Sequence, residues 1–82
     1  MINSIKYMVS SFIGRDICLS TNWYDDHIQI YFVRVTLDDL VANNINIDHL
    51  INAITQIPDV ISTHLYFDTN GWLVADITYT DR

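Results

Sequence analysis

The chain has 82 residues, with ten Asp and no Glu against one Lys and three Arg, for a formal net charge of −6. That length supports one domain, and an apolar share of half the residues excludes a disordered chain and points to a packed core. The four cations are scattered as Lys6, Arg15, Arg34 and Arg82, so no basic patch exists for a nucleic-acid backbone or an anionic membrane, and direct binding to either is not expected.

In chain order, Ile2, Ile5, Met8, Val9, Phe12 and Ile13 recur at helical spacing. Asn3 or Ser4 is a candidate cap at the start, and Gly14 is placed to end the helix. The competing assignment is a strand, with Ile5, Tyr7 and Val9 alternating. Ile17 to Trp23 reads as a strand of mixed faces, and Tyr24-Asp25-Asp26-His27 as a turn, since adjacent Asp residues tolerate tight geometry. Ile28 to Leu37 is rich in β-branched and aromatic residues and predicts a strand. Thr36 and Asp39 form a weak capping pair ahead of a short helical turn over Leu37 to Ala42.

A second helix is marked by Ile47, Leu50, Ile51, Ile54 and Ile57, with Asn46 or Asp48 as cap and Pro58 as stop. Val60 to Phe67 is a third strand, Asp68-Thr69-Asn70-Gly71 a hairpin turn that takes positive φ readily, and Trp72 to Thr80 an alternating fourth strand. The two halves repeat one another. A shift of 45 lays Ile2, Ile5, Val9 and Phe12 on Ile47, Leu50, Ile54 and Ile57, and a shift of 43 lays Trp23, Tyr24 and Asp25 on Tyr66, Phe67 and Asp68. The expected fold is α+β: an αββαββ two-layer sandwich with a four-stranded antiparallel sheet and both helices on one face, a permuted ferredoxin-like arrangement. One domain spans 1–82, with half-repeats over 1–37 and 46–82. Were residues 3–13 a strand, the order would be βββαββ.

Cys18 is the lone cysteine, which rules out an internal disulfide. The early apolar stretch is broken by Ser10-Ser11, unlike a secretory signal, and no run reaches membrane-spanning length, so the cytoplasm is the expected compartment. The pairs Asp25-Asp26-His27 and Asp48-His49 set potential ligands side by side, but neighbours on a regular element diverge, so neither a metal nor another cofactor is expected. Cys18 and Ser20 share one predicted strand face and a neighbouring strand is where His64 is expected, but no nucleophile elbow or glycine-rich oxyanion turn accompanies them. Catalysis is therefore not expected.

Two surfaces carry the functional expectation. If Leu73, Ala75 and Ile77 face the helices, an outward apolar set of Ile30, Phe32, Trp72 and Val74 would exceed what a monomer exposes and would support a homodimer. A one-residue slip in pleat would invert that assignment. The hairpin tips and caps combine aromatics with acids: Trp23, Tyr24, Asp25, Asp26, Asp38, Asp39, Asp68 and Trp72 form the candidate partner-binding set. Together they suggest a small acidic protein-binding module that blocks a basic target such as a nuclease or another nucleic-acid-binding complex. Anti-defence inhibitors, nuclease immunity proteins and DNA mimics share this size and charge, a comparison of class rather than of motif. The alternative is a dimeric regulatory domain that binds a small metabolite.

Overall fold

Ile5, Val9 and Ile13 fall at four-residue spacing and are buried, which makes one stripe of α1 (Ile2–Ile13) the lid of the core. The helix stops at Gly14, whose φ of 81° is the left-handed value glycine adopts without a Cβ clash, and its N–H donates to Ser10 O at 2.8 Å. Asn3 and Ser4 lie inside the first turn of α1 and do not cap it; the cap position falls on Met1. The computed structural model describes residues 1–80. Beyond α1 the order is β1 (Leu19–Trp23), β2 (His27–Phe32), α2 (Leu37–Ala42), α3 (Ile47–Thr55), β3 (Val60–Phe67) and β4 (Leu73–Tyr79). Asp81 and Arg82 lie outside the described residues.

The second strand is shorter than its composition predicts. Val33 and Arg34 turn the chain out of the sheet, with Arg34 at a φ of 63°, and Val35 N–H folds back onto Phe32 O. Val35 then re-enters the core and accepts from Leu73 N–H at 2.7 Å, so its β-branched side chain serves packing rather than a strand. Asn46 is the true cap of α3: its Oδ1 accepts from Asp48 N–H at 2.8 Å and His49 N–H at 3.3 Å.

The four strands form one antiparallel sheet in the order β1-β2-β4-β3. Exchanging the two halves of the chain leaves that order unchanged, and it is compatible with a permuted ferredoxin-like sandwich. In the register, Ile28 faces Ile77 and Ile30 faces Ala75 across β2 and β4, while Leu19 faces Phe32 across β1 and β2. Residues directly opposite one another share a face. These side chains, with Leu73, form the floor on which Ile5, Val9 and Ile13 of α1 and Leu50 and Ile54 of α3 pack. Thr55 Oγ1 also reaches Thr63 Oγ1 at 2.9 Å, which ties α3 to the edge strand β3.

The apolar outward set does not form. Ile30 and Phe32 are fully buried on the helix-covered face, as is Val74 beneath the opposite face, and Trp72 is half-buried in the β3–β4 turn. Leu73, Ala75 and Ile77 do face the helices, but the pleat of β2 sets Ile28, Ile30 and Phe32 beside them, so Ile30 and Phe32 cannot share a surface with Val74. Among the described residues no helix is long and apolar enough to cross a membrane.

Candidate functional site

Both packed helices cover one side of the sheet, so the other side is where the strands meet solvent or a partner. Alternation along each strand dictates what it carries. One cross-strand row is Ser20, Tyr31, Val74 and Tyr66; the next is Asn22, Gln29, Asp76 and His64; a third is His27, Thr78 and Ser62. Neither Lys nor Arg occurs in these rows, and Asp76 stands near the middle.

The rows are bonded together. Asn22 Nδ2 donates to Gln29 Oε1 at 3.3 Å, and Gln29 Nε2 donates to the Tyr66 hydroxyl at 2.7 Å. His64 stacks on Tyr66 with ring centroids 5.6 Å apart, and Tyr24 stacks on His27 at 4.6 Å with the rings nearly parallel. Removal of the Tyr66 phenol from water pushes its pKa above the ordinary 10.0; the neighbouring charge of Asp76 adds to that, and the bond from Gln29 opposes it. Asp76 Oδ1 is buried beneath this face without a hydrogen-bond partner, an unsatisfied acceptor inside the sheet layer.

The eight expected partner-binding residues do not come together. Because β2 and β4 are antiparallel, the β1–β2 turn with Asp25 and Asp26 lies at one end of the sheet and the β3–β4 turn with Asp68 and Trp72 at the other. About 17 Å of strand separates the ends. Trp23 and Tyr24 also part company. Trp23 lies opposite Ile28 on the helix side, where its ring meets Tyr79 edge-on at 5.6 Å, whereas Tyr24 stacks on the uncovered side.

Three of the five acids expected to steer a partner are engaged within the chain. Asp39 accepts from Arg15 at 2.8 and 3.3 Å and from Thr36 N–H at 3.0 Å, which holds its carboxyl below the ordinary aspartate range, with the Arg15 bond the largest cause. Asp68 Oδ1 accepts from the N–H groups of Asn70 and Trp72 and shapes the hairpin turn. Asp26 pairs with His27 Nδ1 at 2.8 Å, which lowers its pKa chiefly through that bond. Asp25 and Asp38 are exposed and carry no hydrogen bond or ion pair among the described residues.

Cys18, just ahead of β1, and His64, on β3, belong to opposite edges of the sheet, about 14 Å apart at ordinary strand spacing. They do not form a nucleophile–base pair. Among the described residues no three His, Cys, Asp or Glu side chains converge. A cleft of about 620 Å³ lies on the helix side, lined by Phe12, Asn43, Asn44, Ile45, Asn46, His49 and Asn52.

Tyr31, Tyr66, Gln29, His64 and Asp76 are absent from the partner-binding set expected from sequence, although a signal for them exists. Gln29 and Asp76 are the lone polar residues inside apolar runs, and both break the pattern on the same parity as the tyrosines. The chain matches no protein-family model, no curated protein and no solved structure.

Proposed function

We propose that this chain is a small, non-catalytic binding protein of the cytoplasm that docks on a basic protein surface and occludes it. The target in this proposal is a nuclease or another nucleic-acid-binding complex. The observation that carries it is the uncovered sheet face, which presents Tyr24, Tyr31, Tyr66, His27 and His64 around Asp76 without a single Lys or Arg. Aromatic rings with polar tips are the residues that anchor interfaces, and arginine side chains of a target gain both from the tyrosine faces and from the carboxylate. Exposed Asp25 at the end of the face and the net charge of −6 supply long-range attraction to a cationic groove. Tyr31 and Tyr66 replace Trp23 and Trp72 as the expected anchors.

The test is capture from host lysate on the immobilised protein at low and high salt, with duplex DNA as competitor. A target that normally holds nucleic acid is released by the duplex and by salt. Tyr31→Ala should weaken its capture by about 2 kcal/mol if that ring is an anchor, and Tyr7→Ala, on the exposed surface of α1, should not. Capture indifferent to duplex DNA, or lost with Tyr7 rather than Tyr31, would refute the proposal.

One observation favours the regulatory alternative. The asparagine-lined cleft by Phe12 and His49 has a volume suited to a small neutral, polar metabolite. Asn52→Leu would abolish thermal stabilisation by such a ligand and leave capture on the sheet face intact.

A further inference from the structure

The two edges of the sheet differ in how well they are guarded. A sheet edge is a row of unpaired backbone groups, and proteins that remain monomeric protect it with short strands, prolines or charges, lysine above all. Edge strand β1 has five residues and runs directly into the acidic turn at Asp25 and Asp26. Edge strand β3 has eight, Val-Ile-Ser-Thr-His-Leu-Tyr-Phe, with no Lys, Arg, Asp, Glu or Pro among them. It is built of β-branched and aromatic residues, and it leaves Ile61 56% and Phe67 36% exposed.

The hydrogen-bond phase says which backbone groups are free. Asp68 N–H donates to Trp72 O at 2.9 Å, and the register from Ser62 to Phe67 is unbroken. Antiparallel alternation then turns Ser62, His64 and Tyr66 towards β4, and sends the N–H and C=O groups of Thr63, Leu65 and Phe67 off the open edge. The bulge between Val60 and Ser62 ends this regular stretch at Ile61.

We infer that β3 pairs with β3 of a second copy, antiparallel about a two-fold axis at His64, to make a continuous eight-stranded sheet. The occupant follows from the chemistry of the edge. A basic segment finds no acid within β3 to recognise, and Asp68 just beyond it is held in its own turn, whereas a second copy is self-complementary there. With the axis at His64, Thr63 of each copy pairs with Leu65 of the other, and at both ends exposed Phe67 lies beside the bulge that carries exposed Ile61. No charged residue within the two strands meets a like charge. This surface replaces Ile30, Phe32, Trp72 and Val74 as the self-association site, and it does not rest on the function proposed above. Pairing also doubles the uncovered sheet face.

Two measurements test it. Light scattering at high micromolar concentration should give twice the chain mass, and the dimer should strengthen as salt screens the repulsion between two chains of charge −6. Capture of a basic target has the opposite salt dependence, so failure of one idea is distinguishable from failure of the other. Amide hydrogen exchange of the unaltered protein should show Thr63, Leu65 and Phe67 protected as strongly as Ser62, His64 and Tyr66, and that protection should fall on dilution. His64→Lys sets two ammonium groups against each other on the axis while reducing the net charge, and should give a folded monomer. A monomeric wild type, a dimer whose Thr63, Leu65 and Phe67 amides exchange freely, or a His64→Lys protein that remains a dimer would each overturn the inference.

Discussion

Asp39 lies in an acidic pair with Asp38, yet the structure gives the two residues different tasks, and substitution should separate them. Asp39 Oδ2 accepts from Thr36 N–H and so satisfies a donor at the start of α2, an interaction of about 1 kcal/mol. The same carboxylate accepts from both terminal nitrogens of Arg15, and Nη2 also donates to Arg34 O at 3.1 Å and fastens the turn between β2 and α2. Arg15 is 42% exposed, so solvent screening reduces the pair to about 0.5 kcal/mol. Asp39→Ala should therefore cost about 1.5 kcal/mol. Asp39→Asn, which keeps an acceptor for Thr36, should cost nearer 0.5 kcal/mol. Asp38→Ala should fall within about 0.5 kcal/mol of the parent, as for an exposed site without partners. Urea denaturation followed by tryptophan fluorescence reads all three. The sign with pH also follows. A carboxyl whose folded pKa is depressed below the ordinary 3.8 contributes stability above that value and loses it as pH falls through the folded pKa. The advantage of Asp39 over Asn should thus be complete at neutral pH and fade as acid protonates the folded carboxyl below its ordinary range. Equal costs at Asp38 and Asp39, or a difference between Asp39 and Asn that survives in acid, would refute the assignment.

Ile30→Ala empties a fully buried site between the sheet and the helices and should cost about 3 kcal/mol by urea unfolding; a cost under about 1 kcal/mol would mean that Ile30 is not in the core. Ultraviolet titration should show one tyrosine ionising above the ordinary 10.0, and Tyr66→Phe should remove that component while Asp76→Asn moves it down. Since the folded pKa of Tyr66 is raised, its contribution to stability is complete below about pH 10 and is lost as pH rises through the folded value, which urea midpoints in alkaline buffer would show.

Element types were legible because local chemistry and tertiary packing agree along most of this chain. The stripe on α1, the Asn46 cap, the Pro58 stop and the Asn70-Gly71 turn all operate where the sequence places them. The face of β2 was not legible, because Ile28, Ile30 and Phe32 on one side and Tyr31 and Val33 on the other are all apolar enough to be buried. Gln29 resolves the ambiguity only once it is set beside Asp76, and that pairing depends on β2 and β4 being neighbours, a property of topology rather than of either strand. The spread of the candidate partner-binding residues over two ends has the same origin. The β1–β2 and β3–β4 turns lie at opposite ends of an antiparallel sheet, so the likeness of their sequences argues against their joining in one site.

The all-aspartate composition carries a second lesson about charge and function. Asp binds nearby backbone donors well, and for that reason it collects at caps and turns. Once there, it is partly withdrawn from any partner: Asp39 faces Arg15 and Thr36, Asp68 holds its own turn, and Asp26 holds His27. The acids that mark the fold most clearly in sequence are thus weak candidates for recognition. The carboxylate with the better claim is Asp76, which sits inside a strand where Asp is unfavourable and has one oxygen buried without a hydrogen bond, a placement that folding alone does not favour. A residue placed against its local preference, ringed by tyrosines on the face no helix covers, is where selection for binding rather than for folding should be sought.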